Sequence, residues 1–158
     1  MRVSIVTVSD SVSAGKHEDL SGKALAERCV EMGWEVISRS VVPDEEELIR
    51  AQLFAVADSG KIDAAFTTGG TGVGPRDVTP EATAAVVTRQ IPGLAELMRQ
   101  TGSQKTKNAA LSRSIAGVRG ECLIINLPGS PRGAVESFDA IAPLLPHAVA
   151  VLHGARHD

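Results

Sequence analysis

The stretch from Phe66 to Glu81, FTTGGTGVGPRDVTPE, restricts what this chain can fold into more than any other part of it. Four glycines in six residues, Gly69, Gly70, Gly72 and Gly74, leave too little side chain for a packed element and open backbone angles that other residues avoid. Before the loop, Ile62 to Thr67 reads as a short apolar strand. After it, Thr79-Pro80-Glu81 reads as a helix start, with a hydroxyl at the N-cap, proline at N1 and an acid in the first turn. Strand, glycine loop and helix in that order bring free amides and the positive end of a helix dipole to one point, which suits an anion and above all phosphate.

Spacing excludes two familiar phosphate loops. A Walker A loop closes on Gly-Lys-Ser/Thr, whereas this one closes on Gly74-Pro75-Arg76-Asp77. The dinucleotide fingerprint requires a third glycine where this chain has Pro75. Beside the glycines stand Arg76, a bidentate phosphate donor, and Asp77, a hard oxygen ligand suited to magnesium. A glycine-rich βα turn carrying a surface ion pair would use the same residues.

Other functions are narrowed by composition. Aromatic residues are 3% of the 158, with no Tyr and one Trp, so stacking platforms for nucleic acid are essentially missing. Sixteen Lys+Arg against nineteen Asp+Glu give no global basic field for a polyanion, and any phosphate site is local. Hydrophobic residues at 43% and charged residues at 22% fit a globular chain of one domain, residues 1–158. Cys29 and Cys122 belong to no metal-ligand or disulfide spacing and read as buried small hydrophobes. The apolar run near Met1 is too short for a signal peptide or membrane span, so the expected setting is the reducing cytoplasm, with neither nucleic acid nor membrane as partner.

Along the chain, strand and helix signals alternate. Val3 to Ser9 is β-branched and reads as a strand buried on both faces. Its loop, Ser11 to Gly22, is rich in hydroxyls and contains His17, which reads as a solvated residue. A helix from Gly22 to Met32 and a strand from Trp34 to Val42 follow. Asp44 then satisfies two descriptions: an N-cap with Glu47 completing a capping box, or a ligand at the carboxyl end of a strand. Helices are expected over Pro80 to Arg89 and Leu94 to Gln100, with exposed apolar pieces around Ile91 to Met98. A mobile polar stretch from Thr101 to Asn108 carries Lys105 and Lys107, an edge strand covers Ile115 to Val118, and a buried strand Cys122 to Asn126. Ser130 and Pro131 start a last helix as N-cap and N1, which Pro143 and Pro146 split in two. The pattern predicts a three-layer α/β/α fold with a mostly parallel, doubly wound sheet, one antiparallel edge allowed, and four loops opening on one sheet edge.

Thr67-Thr68-Gly69-Gly70-Thr71-Gly72 followed by Arg76-Asp77-Val78-Thr79-Pro80-Glu81 resembles the signature of the Mog/MoaB molybdopterin-binding family, shared with the G domain of gephyrin-like proteins. Ser9-Asp10, Gly15, Glu18-Asp19 and Ser21-Gly22 are similar to that family's first loop, and Pro43-Asp44 to its second. Leu111-Ser112-Arg113 and Asn126-Leu127-Pro128-Gly129 are similar to its late motifs. The resemblance implies a molybdopterin adenylyltransferase that joins MgATP and molybdopterin into adenylyl-molybdopterin and pyrophosphate. It implies that Asp44 and Asp77 hold magnesium, and that substrate is bound by Ser11, Gly15, Asp19, Ser21, Gly22, Thr68, Gly69, Gly70, Thr71, Gly72, Arg76, Ser112, Arg113, Pro128, Gly129 and Ser130. A homotrimer and a MoeA-like molybdate-inserting partner are implied as well. Two other activities use the same fold: a MoaB-like molybdopterin-binding or scaffold protein with little catalysis, and a CinA-like nucleotide pyrophosphatase.

Overall fold

A computed structural model describes residues 1–156. Its central strands are the β-branched and apolar runs of the sequence, with a few small polar residues buried among them. β1 (Arg2–Val8), β3 (Ala64–Thr68) and β6 (Cys122–Leu127) are buried along almost their whole length, as parallel strands covered on both faces must be. β2 (Glu35–Val42) pairs with the outer side of β1. β5 (Ala116–Arg119) and β4 (Arg89–Gln90) extend the other side, giving the order β2-β1-β3-β6-β5-β4. The first four are mutually parallel, whereas β5 runs antiparallel to β6 and β4 antiparallel to β5. The expected doubly wound sheet with an antiparallel edge is therefore the observed architecture.

Alternate residues divide the core into two layers, because successive side chains of a strand face opposite ways. Ile5, Phe66 and Ile125 pack with α2 (Leu20–Glu31), α5 (Pro92–Ser103), α6 (Pro131–Ile141) and α7 (Leu145–Leu152). In that layer Phe138 meets Trp34 and Phe66 edge-on, with ring centroids 5.5 and 5.3 Å apart. Their neighbours Val6, Ala65 and Ile124 pack on the other face with α3 (Glu46–Ala57) and α4 (Thr79–Val86). A four-residue turn of helix, α1 (Asp10–Ser13), completes the set. The run Pro131–Leu152 is long and apolar enough to cross a membrane by composition alone, yet it is broken by a 3-10 turn at Ala142–Leu144 and buries Phe138, Ile141 and Leu145 in the core.

Several local expectations need correction. α4 stops at Val86, and Arg89–Gln90 forms the outermost strand instead of a helix end, because Thr88 and Ile91 donate to the carbonyls of Val118 and Ala116. The strand expected at the edge, β5, thus lies inside it. Leu94, Ala95 and Met98 are not exposed: they are the buried face of α5. Thr101 to Asn108 is mostly helical, through Ser103 in α5 and again in a 3-10 turn, Lys107–Leu111. Lys105 pairs there with Glu136 at 3.1 Å.

Candidate functional site

Because β1, β2, β3 and β6 are parallel, their carboxyl ends share one edge, and the four loops that follow them meet there. The glycine loop is seated by close approach. Gly69 (φ 105°) lies so near β1 that an added Cβ would sit 2.2 Å from the Val8 carbonyl oxygen, and Gly70 (φ 68°) has the same left-handed sign. The Thr68 hydroxyl donates to the Pro128 carbonyl at 2.7 Å, tying β3 to the loop after β6. Thr79 does not cap α4 as its sequence suggests. Its hydroxyl donates to the Gly69 carbonyl at 2.8 Å and its amide to the Gly70 carbonyl at 3.1 Å, closing the loop on itself.

Four charged side chains meet beside this loop. Asp44 is not the N-cap of α3, which is Glu45 with no side-chain cap bond. Instead the Asp10 amide donates to Asp44 Oδ2 at 2.8 Å, and the Asp44 amide donates to Asp10 Oδ1 at 3.0 Å. Arg76 clamps both oxygens of Asp10, each at 3.0 Å, and holds that carboxyl below its usual range. Burial pushes the Asp44 carboxyl up, and the charges of Asp10 and Asp77 add to the rise. Asp77 Oδ2 accepts from the Gly74 amide at 2.8 Å, and side chains at Gly72 or Gly74 would collide with it. Asp44 and Asp77 therefore face the same space with an excess of negative charge that a cation would relieve.

Two clefts share the loops as a wall. One, of about 370 Å³, is lined by Thr7, Ser9, Asp19, Ser21, Asp44, Thr68, Gly69, Gly70, Asp77 and Gly129. The other, of about 280 Å³, is more apolar and lies between α5, the following 3-10 turn and α6, with Gly72, Met98, Arg99, Ser112, Pro128 and Ser130 in its lining. Gly69 and Gly129 touch in the wall of the polar one: a Cβ on Gly129 would be 3.2 Å from Gly69 Cα. Among the described residues no group of three His, Cys, Asp or Glu side chains could hold a metal. A magnesium ion between Asp44 and Asp77 would take its other ligands from phosphate and water, which is how this hard cation is commonly held.

The remaining predicted residues divide by what they touch. Asp19 caps α2 through the Gly22 amide, accepts from the Thr7 hydroxyl at 2.9 Å and pairs with Arg39. Gly22 is required there, since a Cβ would fall 2.3 Å from the Asp19 carboxylate. Ser11 and Gly15 lie in and just beyond α1, outside both cleft linings. Ser130 caps α6 through the Gly133 amide as its sequence suggests. Thr71 accepts on its carbonyl from the Arg113 amide at 2.8 Å, and Arg113 lines neither cleft. Sequence reasoning missed Thr7 in the polar cleft and Arg99 and Glu136 in the apolar one, and it left Asp10 unassigned. Only Asp10 carried a usable signal, its place directly after the first strand.

Over residues 4–147 the chain matches the family described as a probable molybdopterin binding domain. It is 40% identical over 156 residues to the molybdopterin adenylyltransferase of Helicobacter pylori, covering 98% of this chain and 89% of that protein. It is 37% identical over 144 residues to the Escherichia coli K12 molybdopterin adenylyltransferase, covering 89% and 73%. The solved structure of the molybdopterin biosynthesis enzyme MoaB of Thermus thermophilus superposes with a TM-score of 0.91 at 48% identity, covering 99% of both chains. A match of this extent, on a fold whose glycine loop and paired aspartates share one sheet edge, places the chain in the molybdopterin-binding domain family of molybdenum cofactor biosynthesis.

Proposed function

We propose that this chain is a molybdopterin adenylyltransferase, transferring AMP from ATP to molybdopterin. The reading rests on one observation: two clefts of different chemistry, one polar and acidic and one largely apolar, meet at the glycine loop, where two phosphate-bearing substrates can be brought end to end. A terminal phosphate oxygen of molybdopterin attacks the α-phosphorus of ATP, the bond from that phosphorus to the bridging oxygen of the β-phosphate breaks, and pyrophosphate departs with the electron pair. Bound magnesium would screen the charge of the phosphates. The chain itself has chiefly to position two anions in line, which is worth several kcal/mol when done well. The Gly69 amide is taken by the Leu127 carbonyl at 3.1 Å, so the amides of Gly70 to Gly72 supply the fixed donors, Asp44 and Asp77 would hold the cation, and the hydroxyls of Ser21, Thr68, Ser112 and Ser130 orient the substrates.

The same reading includes a homotrimer acting in the cytoplasm, handing its product to a MoeA-like molybdate-inserting enzyme. The test is to incubate the protein with MgATP and molybdopterin and separate the products by anion exchange. Adenylyl-molybdopterin and pyrophosphate in equal amounts are expected. Tight molybdopterin binding without product would make the chain a binding protein, and release of AMP and pyrophosphate without molybdopterin would make it a nucleotide pyrophosphatase.

A further inference from the structure

The Arg113 guanidinium reaches across the ends of the turn that carries Asp77. Its Nε donates to the Gly72 carbonyl and one terminal nitrogen to the Asp77 carbonyl, each at 2.7 Å. The other terminal nitrogen meets Glu81 in the first turn of α4. One planar cation thus bridges the first and last carbonyls of Gly72 to Asp77, while the Asp77 carboxylate closes the same turn from inside through Gly74. The carbonyls on either side of Arg113 are held by Arg99, which donates to that of Ser112 at 3.3 Å and that of Ser114 at 2.8 Å. Ser112 and Ser114 line the apolar cleft, Asp77 the acidic one, and Arg113 neither.

We propose that Arg113 is a positioning residue and not a substrate ligand: it fixes the Gly72–Asp77 turn so that the Asp77 carboxylate is aimed at the cation shared with Asp44. The proposal rests on the adenylyltransferase reading for what that cation does, but not for whether Arg113 aims the carboxylate. A guanidinium is suited to this, because its rigid fork can serve two carbonyls and a carboxylate at once, whereas a lysine ammonium at the same place satisfies fewer of them. Residues that orient a metal ligand from behind typically cost about 10–100-fold in metal affinity when replaced.

The test compares wild type with Arg113→Met and Arg113→Lys. Mn²⁺ binding in the presence of ATP is followed by electron paramagnetic resonance, molybdopterin binding by fluorescence, and loosening of the turn by tryptic cleavage after Arg76. Arg113→Met is expected to weaken Mn²⁺ binding by about 10–100-fold, to speed cleavage after Arg76 and to leave molybdopterin binding unchanged; Arg113→Lys restores part of the loss. Should the Met variant fail to fold, the Lys variant decides on the same readouts. Weakened molybdopterin binding with unchanged Mn²⁺ binding would make Arg113 a substrate ligand and overturn the proposal. Folded variants with wild-type Mn²⁺ binding and wild-type cleavage would overturn it too. None of these readouts needs turnover, so a wild type that makes no adenylyl-molybdopterin would sink the adenylyltransferase reading without deciding this one.

Discussion

Replacing Gly69 by alanine tests whether the glycine loop is seated by steric necessity. Two penalties act together. An L side chain at φ 105° lies outside the ordinary regions, which costs about 1–2 kcal/mol even in the milder left-handed helical well. The new methyl would also sit 2.2 Å from the Val8 carbonyl oxygen, a backbone atom at the end of a central strand that cannot swing aside. Forcing extra carbon into such packing costs about 1–3 kcal/mol. The expected loss is about 2–5 kcal/mol, a large part of the roughly 5–15 kcal/mol that stabilises an ordinary domain. For a chain of this size it corresponds to a fall in Tm of roughly 10 °C. Gly15→Ala is the control: φ is 73°, but nothing lies within 4 Å of the added Cβ, so only the backbone penalty remains. Urea titrations should show the midpoint falling further for Gly69→Ala than for Gly15→Ala at unchanged slope. Equal midpoints for the two variants would refute the close approach of Gly69 to Val8.

Other outcomes follow from buried and paired groups. Asn126 is fully buried, donates to the hydroxyls of Thr67 and Thr83 at 2.9 and 2.8 Å and accepts from the Ile115 amide, so Asn126→Leu should cost at least about 3 kcal/mol by urea titration through the partners it strands. The hydrogen bond from Arg113 holds the Glu81 carboxyl below its ordinary value of 4.5. The stabilisation that distinguishes wild type from Glu81→Gln should therefore be fully present above that pH and fade as pH falls through the lowered pKa of the folded protein, never exceeding about 1 kcal/mol because the pair is exposed. Urea midpoints between pH 7 and pH 3 check it, and a difference that grows towards acid would contradict it. Burial pushes the Cys29 and Cys122 thiols up to about 12, so a thiol reagent at pH 8 should label neither in the folded protein and both in urea.

What the sequence disclosed and what it concealed differ in the range of the interactions involved. β1, β3 and β6 were legible because a strand buried on both faces is mostly apolar and β-branched, with few charges, and the Ser130-Pro131 helix start because capping is settled within three residues. The clustering of four loops followed from parallel pairing alone. Asp44 was ambiguous because Asp44 and Glu47 satisfy the local rule for a capping box, while its actual partner, Asp10, is 34 residues away. Thr79 misled for the same reason: its hydroxyl is taken by Gly69, ten residues back, before it can cap anything. β4 has only two residues, and its pairing is decided by Gly117 and Val118, far along the chain. Arg113 and the turn it spans, 41 residues from Gly72 and 36 from Asp77, were beyond any local pattern.

The central claim is that Asp44 and Asp77 together serve adenylyl transfer by holding a phosphate-bound cation. Single-turnover transfer from MgATP to enzyme-bound molybdopterin, measured for wild type, Asp44→Asn and Asp77→Asn, tests it most directly. Asparagine keeps the shape and, at Asp44, can still accept from the Asp10 amide, so both variants should fold and bind molybdopterin. Transfer should slow by at least about tenfold in each, roughly 1.4 kcal/mol of transition-state stabilisation, with Asp77→Asn the more severe because it lies in the glycine loop itself. Folded, molybdopterin-binding variants that both transfer at the wild-type rate would contradict the claim.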